Sequence, residues 1–281
     1  MAAAQALSDR GLSHIPTDYI RPPGERPEVA HDSFSQQHNI PVIDISEASE
    51  GYGHRMLVRE DQVLDWRDYF DHHTFPLTRR NPENWPLNPP AYRQTIKEYS
   101  EHMKLLAQRL LSLISESLGL KPSYIQDAIG ELYQNISLNY YPPCPQPELT
   151  LGLQSHSDLG AITLLLQDDV GGLQVSVDGS WFAVQPVPGA LVVNLADQVQ
   201  ILSNGRYKSI EHRAVVNRNK SRISIATFYD PAKEVVISPA SELVGSDHPA
   251  KYKHVLFGDH VSAWYQKGPD GKKVLDSLSV K

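Results

Sequence analysis

Two histidines and one carboxylate are the residues best placed to do chemistry in this sequence. His156 and Asp158 are separated by one residue at the end of a predicted strand. Alternate residues of a strand point to the same face, so an imidazole and a carboxylate would project together. His212 opens another predicted strand further along the chain and could supply a third ligand to a metal ion.

This ligand set suits a catalytic metal that keeps open coordination positions. Two histidines and one carboxylate are the ligands of non-haem Fe(II) oxygenases, and they leave room for a bidentate cosubstrate and O₂. The His-x-Asp pair alone is weak evidence, because a lone histidine is more often a surface or core residue. A zinc hydrolase is a poorer alternative, because it leaves the next pair of residues without a role.

Arg222 and Ser224 strengthen the metal hypothesis. They share one face of the strand predicted after His212. A guanidinium makes a planar, bidentate pair with a carboxylate, and the serine hydroxyl can add a hydrogen bond. Together they could hold the distal carboxylate of a dicarboxylic acid whose other end chelates the metal. The alternative, an arginine on a polar surface strand, explains the combined pattern poorly.

The elements that position these residues are predicted to be short strands. Apolar runs recur between residues 136 and 229, separated by turn sequences such as Asp178-Gly179 and Asn204-Gly205. This spacing predicts a barrel or sandwich. The predicted strands cover residues 136–141, 149–155, 162–167, 173–177, 181–187, 191–195, 212–217 and 223–229.

Helices are predicted around this β region. Apolar residues at spacings of three and four predict a long helix over about residues 91–118. Its apolar face is Ile96, Tyr99, Met103, Leu106, Leu110, Leu113 and Ile114. A short helix over about residues 123–130 and a closing helix over about residues 250–266 follow. Before them, the prolines of the first forty residues predict an extended surface arm, residues 40–45 a strand, and residues 47–90 a loop-rich packing segment.

Composition excludes several classes of protein. The chain has 281 residues, a net charge of −7, 40% hydrophobic residues and 21% charged residues, which is typical of an ordinary globular protein. No basic tract suggests nucleic-acid binding. The single cysteine, Cys144, excludes an internal disulfide framework. No apolar run approaches the ~20 residues that span a bilayer, and no signal peptide is evident.

The motifs, in combination and in order, resemble those of the plant 2-oxoglutarate- and Fe(II)-dependent dioxygenases. His156-Ser157-Asp158, His212 and Arg222-Ile223-Ser224 match the His-x-Asp…His…Arg-x-Ser signature of that family. Asn139-Tyr140-Tyr141-Pro142 resembles a motif of the branch that includes anthocyanidin synthase and flavonol synthase. The resemblance implies a mainly β fold with helices, namely a double-stranded β-helix (jelly roll) backed by a long helix. It divides the chain into an N-terminal arm and helical region (residues 1–130), the jelly-roll core (131–235) and a C-terminal helical tail (236–281).

The resemblance also implies an activity. It assigns Fe(II) to His156, Asp158 and His212, and the cosubstrate 2-oxoglutarate to Asn139, Tyr141, Arg222 and Ser224. With O₂ as oxidant and ascorbate as reductant, the expected reaction is hydroxylation or desaturation of a small plant metabolite. The expected substrate is aromatic or hormone-like, for example a flavonoid, and 2-oxoglutarate is decarboxylated to succinate and CO₂. The resemblance also suggests a cytoplasmic protein, and the lack of targeting signals agrees. We expect a monomer whose partners are small molecules, not nucleic acid or membrane.

The substrate pocket is less determined by the sequence. The resemblance places Tyr69, Phe70, Ser137 and Phe228 at substrate positions. Core packing explains the aromatic residues among them equally well. Some relatives carry a basic residue at the position of Ser137, and a neutral residue there disfavours a substrate that is anchored by a carboxylate.

The sequence departs from the family pattern in its N-terminal part. In the family, several dozen residues with a helix and a strand separate segments like residues 40–44 and 50–53. Here Ser46 runs almost directly into Glu50, so this part is expected to be incomplete. Each large apolar side chain left exposed forfeits about 1.5–3 kcal/mol, against a total stability of about 5–15 kcal/mol. The chain is therefore expected to be poorly stable. The alternative to an enzyme is a catalytically silent jelly-roll protein that binds a metal or small molecule.

Overall fold

The computed structural model describes residues 3–27, 51–53, 63–267 and 271–280. The predicted strand over residues 40–45 and the short junction between Ser46 and Glu50 lie outside the described residues. The helices are α1 (Ala4–Asp9), α2 (Tyr92–Ser117), α3 (Tyr124–Ile129), α4 (Asp197–Leu202), α5 (Phe257–Lys267) and α6 (Lys273–Asp276). The strands are β1 (Gly51–Gly53), β2 (Asp68–Phe75), β3 (Tyr133–Tyr141), β4 (Leu153–His156), β5 (Ile162–Gln167), β6 (Leu173–Val177), β7 (Ser180–Ala183), β8 (Val192–Leu195), β9 (His212–Ala214), β10 (Arg222–Asp230), β11 (Val236–Ile237) and β12 (Val255–Leu256).

Strands β3 to β10 form two antiparallel sheets, which together make the predicted jelly roll. The larger sheet has the order β1-β2-β3-β10-β5-β8, with β1 and β2 as an extension at one edge. The smaller sheet has the order β4-β9-β6-β7. Strands β11 and β12 form a separate pair. The turn between β6 and β7 was predicted from Asp178-Gly179, and both residues adopt the positive φ that a two-residue hairpin requires.

The long helix α2 covers one face of the larger sheet, where it contacts β3, β5 and β10. Its Leu111 is buried in one apolar cluster with Ile162 and Leu164 of β5. The prediction for this helix is confirmed within a residue or so at each end. The predicted apolar face was wrong at Leu113, which is 50% exposed. The centre of the buried face consists of Ile96, Ser100, Ala107, Leu111 and Ser115.

Strand β2 contradicts the prediction that residues 47–90 are a loop-rich segment. It spans Asp68–Phe75 and pairs with β3 almost along its whole length. The sequence does not show the strand because several of its buried residues are polar. His72 donates from Nδ1 to the carbonyl of Ile136 at 3.1 Å, and Thr74 donates to the side-chain oxygen of Gln134 at 2.6 Å. Hydrogen bonds to β3 thus replace the apolar alternation that marks most strands.

The N-terminal arm is buried more deeply than predicted. Leu7, Ile15 and Tyr19 lie in an apolar cluster with Trp66 and Cys144, so they are not a surface extension. The first turn of α1 is fixed because the backbone N–H groups of its first two residues donate to the carboxylate of Asp68. The prolines that argued against a helix all follow α1.

The C-terminal region differs slightly from its prediction. The closing helix begins at Phe257, later than predicted, because a short strand precedes it. Among the described residues, no helix combines the length and the apolar character that are needed to cross a bilayer.

Candidate active site

The smaller sheet brings the three predicted metal ligands together. His156 ends β4 and is the cross-strand partner of His212, which begins β9. Asp158 follows two residues after His156, and its Oδ1 lies 3.7 Å from Nε2 of each histidine. All three side chains are buried, and one ligand atom from each lies within 4.8 Å of the others.

Hydrogen bonds orient both imidazole rings toward the carboxylate. Nδ1 of His156 donates to the carbonyl of Gln154 at 2.8 Å, and Nδ1 of His212 donates to the carbonyl of Ile210 at 3.2 Å. A carbonyl only accepts, so each Nδ1 carries a hydrogen, and in the neutral ring Nε2 then presents its lone pair. Burial, with His212 close by, lowers the pKa of His156 to about 4. His156 is therefore neutral at pH 7, as a metal ligand must be.

The cluster fits a divalent metal ion. Oδ2 of Asp158 is buried and has no hydrogen-bond partner among the described residues. A buried carboxylate oxygen without a partner is costly, and a cation bound beside it removes that cost. Two imidazole nitrogens and one carboxylate are the donor set that suits Fe(II), and they leave other coordination positions open.

Arg222 and Ser224 face the same cavity from the larger sheet. Arg222 is buried, and it donates from Nη1 to Oγ of Ser224 at 3.3 Å and from Nη2 to Oε1 of Gln167 at 3.0 Å. Its guanidinium lies 5.0 Å from the ring centroid of Tyr141. The Nε of Arg222 has no hydrogen-bond partner among the described residues. A buried guanidinium with a donor to spare is suited to an anion.

The backbone leaves room for this arginine. A Cβ on Gly172 would lie 2.9 Å from Cδ of Arg222 and 2.9 Å from the carbonyl oxygen of Val215. A larger residue at position 172 would therefore displace either the side chain of Arg222 or the backbone at Val215.

Strands β3 and β10 line the cavity with alternate residues in matching register. Tyr141 lies opposite Arg222, and Asn139 lies opposite Ser224. The amide of Asn139 is already committed within the protein, because its Oδ1 accepts from Nη1 of Arg67 and its Nδ2 donates to the carbonyl of Ser137. Asn139 therefore lines the predicted cosubstrate region with both polar atoms of its side chain in use.

Three of the four predicted substrate residues line the cavity: Tyr69, Ser137 and Phe228. Phe70 is not among the residues that line the cavity. Successive residues of β2 point to opposite faces, so Phe70 is turned away and packs against the ring of His72 at 4.7 Å between centroids.

Several cavity residues were not identified from the sequence. Asp230 ends β10 on the same face as Arg222, and burial together with the nearby charge of Asp158 raises the pKa of Asp230 to about 7. The alternation of residues along β10, continued from Arg222 and Ser224, indicates Asp230 as a cavity residue. Arg67 and Trp264 come from distant segments, and no local spacing in the sequence indicates them.

The cavity has a volume of about 410 Å³ and lies between the two sheets. The candidate metal cluster, the buried arginine and the aromatic residues all line this one cavity. Its lining outside these groups includes Tyr52, Asp71, Asn135, Leu153, Leu159, Thr163, Leu165, Leu173, Asn194, Arg213, Ala226 and Tyr265.

Fold and site together define a jelly-roll protein with a two-histidine, one-carboxylate centre, and comparison with known proteins gives the family. The profile of the 2OG-Fe(II) oxygenase superfamily matches residues 133–231. Jasmonate-induced oxygenase 4 of Arabidopsis thaliana is 48% identical over 233 residues, which cover 82% of this chain and 66% of that protein. Flavanone 3-dioxygenase 2 of Oryza sativa subsp. japonica is 45% identical over 220 residues, which cover 78% of this chain and 64% of that protein.

Two further comparisons extend over nearly the whole chain. Jasmonate-induced oxygenase 2 of Arabidopsis thaliana is 36% identical over 340 aligned positions, which cover 97% of this chain and 91% of that protein. The crystal structure of JOX2 in complex with 2OG, Fe and JA superposes with a TM-score of 0.89 at 34% identity, covering 100% of this chain and 98% of that chain. The chain belongs to the 2OG-Fe(II) oxygenase superfamily.

The family uses Fe(II) and 2-oxoglutarate, and the His-Asp-His cluster described above is a ligand set for that metal. The chain is shorter than its relatives. Its matched region spans less than two thirds of the length of Flavanone 3-dioxygenase 2. The alignment with Jasmonate-induced oxygenase 2 has 340 positions and this chain has 281 residues, so at least 59 positions of that relative have no counterpart here.

Proposed function

We propose that this protein is an oxygenase that uses Fe(II), 2-oxoglutarate and O₂ to hydroxylate or desaturate a small aromatic or hormone-like molecule. The observation that carries the proposal is the placement of two kinds of group in one cavity. The buried cluster of His156, Asp158 and His212 lies on one sheet, and the buried Arg222–Ser224 pair faces the same space from the other.

Each group has a distinct part in the proposed reaction. When bound, Fe(II) supplies the site at which O₂ is reduced while 2-oxoglutarate is oxidised to succinate and CO₂. His156, Asp158 and His212 would hold the metal through one imidazole nitrogen from each histidine and one carboxylate oxygen. Arg222 and Ser224 hold the distal carboxylate of 2-oxoglutarate by charge-assisted hydrogen bonds, which fixes the direction in which the cosubstrate enters.

The cosubstrate and the substrate bind beside different ends of strand β10. Arg222 begins β10, whereas Phe228 is six residues further on, about 20 Å along the strand. Tyr141, beside the guanidinium, closes the cosubstrate end, and Asn139 shapes its wall through the bond from Arg67. The substrate is left with the opposite end, where Phe228 and Asp230 line the cavity.

The lining of that end supports an aromatic substrate. Tyr69, Phe228 and Trp264 supply ring surfaces, and the cavity volume of about 410 Å³ is of the size that holds a small organic molecule. Ser137 contributes a neutral group rather than a cation. The names of the relatives, which include a flavanone dioxygenase and jasmonate-induced oxygenases, are consistent with a flavonoid or a hormone-like compound.

Other expectations about the chain stay predictions. They are the division at residues 130 and 235, the monomeric state, the cytoplasmic location and the use of ascorbate. The complete set of metal and anion residues favours the enzyme over a catalytically silent binding protein.

Two measurements test the proposal. First, Fe(II) and 2-oxoglutarate are titrated under anaerobic conditions, and a weak visible charge-transfer band is expected only if both bind at one site. Second, a metabolite pool is screened for succinate release, with mass detection of a product that gains one oxygen or loses two hydrogens. His212→Ala is expected to abolish the band and the turnover, and unchanged turnover would refute the ligand assignment. A band without any succinate release would support the silent protein instead.

A further inference from the structure

The loop that carries Asp158 is held by the first turn of helix α4. Each backbone carbonyl from residue 158 to residue 161 accepts a hydrogen bond from this turn or the residue before it. The donors and acceptors are Asp197 N to Asp158 O at 2.9 Å, Gln198 Nε2 to Leu159 O at 2.7 Å, Gln198 N to Gly160 O at 2.9 Å, and Ala196 N to Ala161 O at 3.1 Å. The loop leading away from the carboxylate ligand therefore has its conformation fixed from outside the metal cluster.

Helix α4 is itself firmly placed. All of its residues are buried, and Oδ2 of Asp197 lies 3.4 Å from Nε2 of His260 on α5. The support for Asp158 is thus a packed helix and not a mobile side chain.

Among the four donors, Gln198 Nε2 is the one side-chain group. Gln198 is 0% exposed, and its Oε1 has no hydrogen-bond partner among the described residues. A buried amide that leaves its oxygen unsatisfied is costly. An apolar residue of similar size would avoid that cost, so the useful part of this side chain is the N–H that it donates to the metal-ligand loop.

We infer that Gln198 is a positioning residue for the metal centre. By its hydrogen bond to the carbonyl of Leu159, Gln198 keeps the carboxylate of Asp158 in its coordinating position. The inference rests on the proposed function, because it concerns the metal that the enzyme would bind. Partners that orient metal ligands affect metal affinity strongly, and their loss typically costs about 10–100-fold.

The chain offers a matched control in Gln134. This residue is also a glutamine with 0% exposure, and its Nε2 also donates to a backbone carbonyl, that of Ser100 at 3.1 Å. Gln134 lies on β3 among residues that pack under α2, and its Oε1 accepts from Thr74. Its replacement should disturb the fold at least as much as replacement of Gln198, but away from the metal ligands.

The experiment compares Gln198→Met and Gln134→Met with the unaltered chain. Methionine keeps the volume and removes the donor. The probe is Co(II) alone, whose affinity is measured by competition with a chelating dye and whose absorption spectrum reports ligand geometry. Circular dichroism and thermal melting establish that each variant is folded at the temperature of the titration.

We expect Gln198→Met to bind Co(II) about 10-fold or more weakly and with an altered spectrum, whereas Gln134→Met binds it normally despite a lower Tm. Normal affinity and spectrum in Gln198→Met would overturn the inference and leave the proposed function standing. An equal loss in both variants would also overturn it, by showing that affinity follows overall stability. If the unaltered chain binds no Co(II), the proposed function and the inference both fail.

Discussion

The burial of the Arg222 guanidinium leads to a quantitative prediction about cosubstrate binding. We expect Arg222→Gln to weaken 2-oxoglutarate binding strongly and Arg222→Lys to weaken it less. Lysine restores a positive charge but lacks the planar pair of donors that matches a carboxylate. Glutamine removes the charge altogether, so the 2-oxoglutarate carboxylate would enter a buried site with no cation to receive it.

The size of the effect follows from the burial of the arginine. It is 3% exposed, its Nε has no hydrogen-bond partner among the described residues, and Ser224 and Gln167 hold its two terminal nitrogens. Removing one partner of a buried, hydrogen-bonded charge pair costs about 2–5 kcal/mol. At 1.36 kcal/mol per tenfold, this is a loss of about 30-fold or more in 2-oxoglutarate affinity.

The assay is an anaerobic calorimetric titration of 2-oxoglutarate into protein loaded with Fe(II). Metal affinity is measured separately, because Arg222 belongs to the larger sheet and not to the metal cluster. Arg80→Lys is the control, since Arg80 is a partly buried arginine that bonds to Thr74 and Glu101 outside the cavity.

One result would refute this reasoning directly. If Arg222→Gln retains its metal affinity and binds 2-oxoglutarate as tightly as the unaltered chain, the arginine does not hold the distal carboxylate. The same conclusion would follow if Arg80→Lys weakened 2-oxoglutarate binding to the same extent.

Further predictions concern stability. Burial lowers the pKa of His72 to about 4, so the stability that comes from its neutral ring is complete above pH 6.5 and is lost as the pH falls toward 4. In urea unfolding, the stability of His72→Phe should therefore fall by about 2 kcal/mol less than that of the unaltered chain between pH 7 and pH 4.5. An equal pH dependence of the two proteins would contradict this. Gly160→Ala should lower Tm, because its Cβ would lie 1.9 Å from Oδ1 of Asp230. Adding Asp230→Ala to Gly160→Ala should restore part of the lost Tm. Simply additive losses of Tm in the double variant would contradict the clash. Leu111→Ala should cost about 2–5 kcal/mol in chemical unfolding and Leu113→Ala less than about 0.5 kcal/mol, and similar costs would show that the buried face of α2 is misassigned.

The candidate metal cluster could be predicted from the sequence because its arrangement is local. His156 and Asp158 are two residues apart at a strand end, and His212 needs only to begin the neighbouring strand, which it does. The same holds for Arg222 and Ser224, because alternate residues of one strand share a face. Regular apolar runs between turn residues predicted a barrel or sandwich, and only the family resemblance specified a jelly roll.

Other features depend on contacts between distant segments, and no local pattern reveals them. Strand β2 is hidden because several of its buried side chains are polar and some of them bond to β3, as the bond from Thr74 to Gln134 shows. The burial of Leu7 requires a partner as distant in sequence as Trp66. In the sequence, Gln198 is one polar residue of a short helix. Its hydrogen bond to the carbonyl of Leu159 depends on the fold, so no local pattern indicates it.

Strand β10 constrains how this chain could acquire another substrate. It is paired on both sides, with β3 and with β5, so its register is fixed. A single inserted residue would turn either Arg222 or Asp230 away from the cavity, because every later side chain would change face. A substitution at Phe228 or Asp230 alters only the end far from Arg222. Under the proposed function, replacements at the distal end of the strand are expected to alter specificity, whereas insertions and deletions within it are expected to abolish the site.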